Sequence, residues 1–395
     1  MSESATRLQY FGHDGDVSAL ALPFDLTALL ADWASLRRRM VRDVPPAFSR
    51  DEWAYMVGFV APEALLGVFT STFGPQQAEA SAARRLLRPR GPLALWLPNN
   101  VSLLGPLTLV LASLTGNPLW VKAGSRSDDL CTALRQWALE QLAEGPLRRW
   151  LADDVAVLQM PRDDPRQANW SEAAAVRMVF GSDAGARAIA ALPARPTAPL
   201  FAFVDKKSQA WAEVAALDDE ALRTLIRVFA IYGRAGCTSP ARLVLIDGTA
   251  ADCARVAARL VALWPLAVKT DVAMHQASAN VMALQTALAG GWHATLAPRH
   301  AAVVCVGDAE LADPPGQLLL PVVCAGLDAA VAALPANTQT IGHMVSDPAD
   351  SRWALALADS PACRFVPVGQ MHHFGPVWDG FAFWRQLFED VEVKT

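Results

Sequence analysis

Residues 93–122 read LALWLPNNVSLLGPLTLVLASLTGNPLWVK, and the order of events in this stretch decides the fold class. Leu93–Leu97 is an apolar run of strand length, Val101–Thr115 an apolar stretch of helical length, and Leu119–Lys122 a second short run. A strand, a helix and a strand in close succession make the crossover unit of a parallel sheet with helices on its faces. Working outward, the alternation continues through strands at Val155–Gln159, Val176–Phe180 and Leu200–Val204, with helices near Asp128–Leu142 and Ala184–Ala191. Ser127 is the expected N-cap of the first of these helices, with Asp128 and Asp129 at the positive end of its dipole. Five strands joined by crossovers predict a nucleotide-binding type of domain, in which ligands bind at the carboxyl ends of the strands.

A second α/β unit follows. Asp219–Tyr232 is helical, with Leu222, Leu225, Ile226 and Phe229 on one face and Gly233 as its terminator. The loop Gly236-Cys237-Thr238-Ser239-Pro240 leads into a strand at Arg242–Ile246. Further strands are expected at Ala302–Val306, Leu318–Ala325 and Arg364–Val368, and helices at Ala250–Leu263 and Val272–Ala289. The first ninety or so residues are mostly helical, over Leu26–Met40 and Glu52–Phe69. The Ala/Arg-rich stretch Ala78–Arg90 reads as a solvated helix edge rather than a phosphate-binding patch, because Leu86 and Leu87 interrupt its charges.

Composition excludes several classes. A chain of 395 residues suggests two domains, and 53% hydrophobic against 18% charged residues rules out disorder. Lys+Arg 34 against Asp+Glu 39 leaves a net charge of −5, so no bulk positive field gathers nucleic acid. Mean hydropathy is +0.22, yet the most apolar stretch, Val101–Thr115, contains Pro106 and falls short of the roughly 20 apolar residues of a spanning helix. No membrane partner is expected. Met1-Ser2-Glu3-Ser4 carries acid early without an apolar segment after it, and six scattered cysteines include no CxxC pair, so the expected location is a reducing cytoplasm.

Few residues stand out chemically. The glycine-rich dinucleotide motif GxGxxG is absent, and Gly181-Ser182-Asp183-Ala184-Gly185, between a strand and a helix, is the nearest substitute. Such a turn can offer helix N-terminal N–H groups to a phosphate or a nicotinamide, or can be an ordinary N-cap. Cys237 is the best candidate nucleophile, since its Gly/Ser/Thr-rich loop can expose a thiol among backbone N–H donors. Cys131 and Cys253 fall in helices, and Cys305, Cys324 and Cys363 in or beside apolar strands, where inert packing thiols are the norm. His372 and His373 are adjacent and would point apart on a strand, and the other histidines have no ligand spacing. Neither a metal site nor a Cys/His dyad is expected.

The order of these elements resembles the aldehyde dehydrogenase superfamily. Asn100 and Lys122 flank the first crossover, the Gly181-Ser182 turn follows, and Cys237 stands 56 residues after Gly181 (237 − 181). Pro98-Asn99-Asn100-Val101, Gly116-Asn117-Pro118-Leu119-Trp120-Val121-Lys122, Ala235-Gly236-Cys237-Thr238-Ser239-Pro240, Arg364-Phe365-Val366-Pro367-Val368-Gly369 and Pro376-Val377-Trp378-Asp379-Gly380 look like the acyl-CoA reductase family, typified by the fatty-acid reductase subunit of bacterial bioluminescence. The resemblance covers about residues 90–385. It implies an aldehyde-dehydrogenase-like α/β fold: residues 1–205 as a helical segment with a Rossmann-type NADP(H) domain, 206–375 as a catalytic thiol domain, and 376–395 as a C-terminal segment packing back on the cofactor domain.

The resemblance also implies roles. Cys237 takes the acyl group from a thioester while Asn100 and the Cys237 backbone N–H stabilise the oxyanion. Lys122 contacts the adenosine ribose, and Ser125 with Arg126, where NAD-preferring relatives tend to carry a carboxylate, favours NADPH over NADH. Gly181 and Ser182 approach the cofactor, and Gln317 falls near the residue that holds the nicotinamide ribose. The glutamate with which aldehyde-oxidising relatives activate water is replaced by Ala202 or Phe203; Asp205 is a near neighbour that could substitute, although a loop carboxylate paired with Lys206 or Lys207 is the blander explanation. The expected reaction is therefore reduction of an acyl-CoA or carrier-protein-bound acyl group to an aldehyde, by a homo-oligomer. The competing readings are a CoA-acylating or NAD(P)-dependent aldehyde dehydrogenase, a cofactor-free thioester acyltransferase and an inactive partner subunit.

Overall fold

In a computed structural model of the chain, the structure describes residues 9–11, 20–73, 83–99, 101–124, 129–269, 271–375 and 377–394. The described residues up to Val204, with those from Phe374 onward, form one compact unit, and Asp205–His373 form a second.

The first unit holds two sheets. Strands β1 (Gln9–Phe11), β2 (Leu20–Leu22), β3 (Ala83–Pro89) and β16 (Phe388–Lys394) make the smaller one. Here the solvated helix edge expected for Ala78–Arg90 is corrected: residues 83–89 are a strand, paired antiparallel with β16. Pro89 cannot extend a helix, and the Arg88 guanidinium donates to Glu389 across the ladder. The larger sheet contains β4 (Leu93–Trp96), β5 (Leu119–Ala123), β6 (Val155–Gln159), β7 (Val176–Gly181) and β8 (Leu200–Val204), all parallel in the order β6-β5-β4-β7-β8. In order of appearance this is 3-2-1-4-5, with the reversal point between β4 and β7.

The quoted stretch folds as its pattern requires. All ten residues of the helix Leu104–Ser113 are buried, and Pro106 lies in its first turn, where the missing N–H costs nothing. The next helix spans Leu130–Gln141, and its cap is Asp129, whose side chain accepts from Thr132 N at 2.9 Å; Ser127 and Asp128 lie outside the described residues. The expected helix over Glu52–Phe69 is two helices, Arg50–Phe59 and Pro62–Phe73, broken before Pro62.

The second unit is built on one sheet of β9 (Lys207–Glu213), β10 (Pro240–Ile246), β11 (His293–Leu296), β12 (Val303–Val306), β13 (Leu319–Ala325), β14 (Thr338–Met344) and β15 (Arg364–Pro367). The order is β11-β12-β13-β10-β9-β14-β15, parallel except for β11. Period-two alternation divides its faces: Ala210, Leu243, Leu245 and Val322 pack under the helices Asp219–Tyr232 and Ala250–Ala267, and Trp211, Val244, Ile246 and Val323 pack with Trp292 and the helix Met274–Ala289. Trp211 is fully buried, and each such side chain contributes about 1.5–3 kcal/mol of burial. Strands β9, β11 and β14 carry no clear sequence signal. The first and last are polar, with Ser208, Gln209, Thr338, Gln339 and Thr340 buried in them. Among the described residues no single helix is long and apolar enough to cross a membrane.

Candidate active site

The loop that carries Cys237 is fixed by what precedes it. The helix Asp219–Tyr232 starts at Asp218, whose carboxylate accepts from Ala221 N at 2.7 Å, and stops at Gly233, with φ +54° and ψ −142°. A Cβ on Gly233 would lie 2.4 Å from the Gln317 carbonyl oxygen, so both the backbone angle and the close approach require glycine. The same carbonyl accepts from Arg234 N at 2.8 Å. The Arg234 side chain donates to Pro314 O and to the Asp313 carboxylate, at 2.8 and 3.0 Å. Arg242, just beyond the loop, donates to the other oxygen of Asp313 at 2.6 Å and to Ala309 O at 3.2 Å. One carboxylate thus clamps both ends of the thiol loop to the segment before β13.

Inside the clamp, Ser239 N donates to Gly236 O at 3.0 Å, closing a four-residue turn with Cys237 and Thr238 at its centre. Gly236 admits no side chain, since a Cβ would lie 2.8 Å from Ser239 Oγ and 2.9 Å from Tyr232 Cβ. Cys237 is half-buried, whereas Cys131, Cys253 and Cys305 are buried, and none of the six cysteines is in a disulfide. Burial pushes the Cys253 and Cys305 thiols up to about 12 and the Cys131 thiol higher still, which holds them neutral.

Two arms grip the turn. Ser208 Oγ donates to Cys237 O at 2.6 Å, and the Thr340 N–H donates to Ser208 Oγ at 3.2 Å. Thr238 Oγ1 lies 2.6 Å from His372 Nδ1, and His372 Nε2 lies 2.8 Å from Val228 O. A carbonyl can only accept, so Nε2 carries the proton, Nδ1 is the acceptor, and Thr238 donates to it. Both arms run back to Arg364, which donates to Thr340 Oγ1 at 3.3 Å and to the carbonyls of Met371 and His373 at 3.3 and 2.9 Å. Sequence reasoning missed Ser208, His372 and Arg364; only Arg364 stood in a quoted motif. The two histidines are in a turn, not a strand: His372 is buried and His373 exposed.

Burial depresses the His372 imidazole to about 4, from an ordinary 6.5. Below pH 6.5 the unfolded chain takes up a proton that the native state refuses, so stability falls as pH drops from about 6.5 to about 4, by roughly 3 kcal/mol in total. His343, also buried, is lowered by burial in the same sense. Urea midpoints recorded over that window should decline, and His372→Gln should flatten the decline; an equally steep decline in the variant would show that the buried imidazole is not its cause.

The residues expected to hold a cofactor lie in the first unit, apart from Gln317. Lys122 is on β5, in register with Trp96 and Leu158, and makes no ion pair among the described residues. Burial, and then the neighbouring Arg162 cation, push its ammonium below its usual value. Arg162 follows β6 and gave no sequence signal, so the carboxyl ends of β5 and β6 carry two cations. Gly181 ends β7, and Ser182 caps the helix Asp183–Ala190 by accepting from Gly185 N at 3.2 Å, all at the exposed carboxyl end beside the reversal point. Gln317 is exposed beside Gly233. Asn100, Ser125 and Arg126 lie outside the described residues. No carboxylate occurs on β8, where Ala202 and Phe203 stand and Phe203 stacks on Phe180 at 4.6 Å. Asp205 holds a left-handed turn, φ +48°, and its carbonyl accepts from the Asn337 side chain. Among the described residues no cluster of three or more metal-ligating side chains occurs.

Comparison with known proteins agrees with this architecture. The fold is shared with a NAD-dependent benzaldehyde dehydrogenase from Corynebacterium glutamicum (TM-score 0.61, 12% identity, covering 94% of this chain and 85% of that one). An aldehyde dehydrogenase from Bartonella henselae gives 0.64 at 13% identity, covering 94% and 87%. An oxidoreductase from Marinobacter aquaeolei gives 0.66 at 13%, covering 94% and 86%. No curated protein matches the chain. The fold is thus aldehyde-dehydrogenase-like, and a family model described as acyl-CoA reductase (LuxC) matches residues 69–388. With that match spanning most of its length, the chain belongs to the LuxC acyl-CoA reductase family.

Proposed function

We propose that this protein reduces an acyl thioester, an acyl-CoA or a carrier-protein-bound acyl group, to an aldehyde with NADPH, through a thioester on Cys237. The observation that carries the reading is the thiol turn: a half-buried cysteine at the centre of a turn pinned on both sides, with its carbonyl held by Ser208. The Cys237 sulfur attacks the acyl carbonyl, and the carrier thiol departs with the proton. Exchange of one thioester for another is nearly thermoneutral, so the turn has only to orient sulfur and offer its own N–H to the developing oxyanion. Asn100 keeps the second donor role that its motif implies. His372 is not the base in this scheme, because its Nε2 proton is committed to Val228 and its Nδ1 lone pair to Thr238. The absence of a carboxylate on β8 removes the group that would activate water, and the acyl-enzyme is spared hydrolysis.

The first unit fits a phosphorylated nicotinamide nucleotide: its strand order puts the Gly181-Ser182 turn at the reversal point, and Lys122 with Arg162 supplies positive charge for a 2′-phosphate. When bound, the nicotinamide supplies the hydride that turns the Cys237 thioester into a thiohemiacetal, whose collapse frees the aldehyde and the thiol. Exchanging Lys122 and Arg162 together for alanine should raise the KM for NADPH by about 10–100-fold, the worth of one or two charge-assisted phosphate contacts. The KM for NADH should rise much less, by no more than the loss of the Lys122 contact to the ribose. Equal weakening for both nucleotides would remove the 2′-phosphate argument.

The deciding assay is NADPH oxidation, with the aldehyde trapped as a hydrazone, across acyl-CoAs and acylated carrier protein of graded chain length. Stoichiometric aldehyde is expected. Release of free CoA without NADPH oxidation would mark a thioesterase or acyltransferase instead.

A further inference from the structure

Two cysteines that this reaction does not use stand side by side in the second unit. Cys253 is in the first turn of the helix Ala250–Ala267, and Cys324 is the penultimate residue of β13. Cys324 packs against the apolar cluster that contains Cys253, the two thiols are close enough to influence one another electrostatically, and both line a cavity of about 600 Å³. Cys253 is buried and Cys324 partly exposed. The cavity wall is largely apolar, with Ala254, Val304, Val306 and Leu311.

We propose that Cys253 and Cys324 form a reversible dithiol–disulfide couple, oxidised by hydroperoxides that reach it through this cavity. The apolar wall suits an organic hydroperoxide, and Cys324, the more exposed sulfur, meets it first. Its sulfur takes the distal oxygen, the O–O bond breaks, and the alkoxide leaves as an alcohol with the proton of the Cys324 thiol. The Cys253 sulfur then attacks the resulting sulfenic sulfur; the S–S bond forms, the S–O bond breaks, and water leaves with the Cys253 proton. Two thiols lose two electrons and two protons, and the hydroperoxide becomes an alcohol and water. Burial and Cys324 push the Cys253 thiol up to about 12, which keeps it protonated and slow towards free hydroperoxide; its part in the second step rests on its place beside Cys324, not on its acidity.

The test uses the full chain with Cys237→Ser, which removes the active-site thiol from the count. The protein is treated with cumene hydroperoxide near stoichiometry, alkylated under denaturing conditions, and its mass and peptides are measured. Of the five thiols that remain (six less Cys237), two should escape alkylation. Fragment spectra should place one crosslink between positions 253 and 324, and dithiothreitol should restore both thiols. In Cys253→Ser the Cys324 sulfenic acid should persist and be captured by dimedone. Full alkylation of both cysteines after treatment, or a crosslink between other positions, would overturn the proposal. So would the absence of dimedone capture on Cys324 in Cys253→Ser.

Discussion

Cys237→Ala is expected to abolish acyl loading and NADPH oxidation together. Every covalent step of the proposed reaction passes through this sulfur, and the turn has no second nucleophile suited to replace it: Thr238 gives its proton to a buried imidazole, and Ser239 is 2% exposed. Loss of a nucleophile typically costs on the order of 10⁴-fold or more in turnover. The effect on stability should be small, because the Cys237 carbonyl and Thr238 contacts that pin the turn are kept in the variant. Intact-mass spectrometry after mixing with an acyl-CoA should show one acyl addition on the parent protein and none on the variant, with unchanged melting temperature. An acyl adduct surviving on the variant would move the reaction to another residue.

Gly233→Ala should have the largest effect on folding. Alanine at φ +54° sits in a region costly to side-chain-bearing residues by about 1–3 kcal/mol. Its Cβ would also press to 2.4 Å on the Gln317 backbone oxygen, which no rotamer change can relieve. The sum, about 3 kcal/mol or more, lowers the melting temperature by roughly 10 °C in a unit of this size. Moving Gln317 also breaks its bond to Arg234 N, so acylation by an acyl-CoA should slow even at temperatures where the variant is folded. Differential scanning calorimetry with single-turnover acylation separates the two effects; unchanged values for both would mean that the loop tolerates a shifted Gln317.

How legible these features were depended on the reach of the interactions behind them. The parallel sheet of the first unit followed from local alternation, since Leu93–Trp96 and Leu119–Ala123 are apolar runs separated by a wholly buried helix. The thiol turn announced itself through glycine, serine and threonine around one cysteine. Strands β9 and β14 did not: LysSerGlnAlaTrpAlaGlu and ThrGlnThrIleGlyHisMet have no apolar period. Ser208, whose hydroxyl donates to the Cys237 carbonyl, sits in the first, and Thr340, whose backbone N–H donates to that hydroxyl and whose side chain accepts from Arg364, sits in the second. His372 meets Thr238 across 134 residues, and Arg88 meets Glu389 across 301. No local pattern encodes such a pairing, and so the first looked like an idle histidine and the second like a helix edge.

The Asp313 clamp has an evolutionary corollary. Its carboxylate lies between two guanidinium groups, each about four-fifths shielded from solvent, so losing it alone would leave like charges facing each other at both ends of the thiol loop. Sequences related to this one should therefore keep Asp313, Arg234 and Arg242 as a set or replace them as a set. A lineage that lost only the acid should show compensation at one of the arginines.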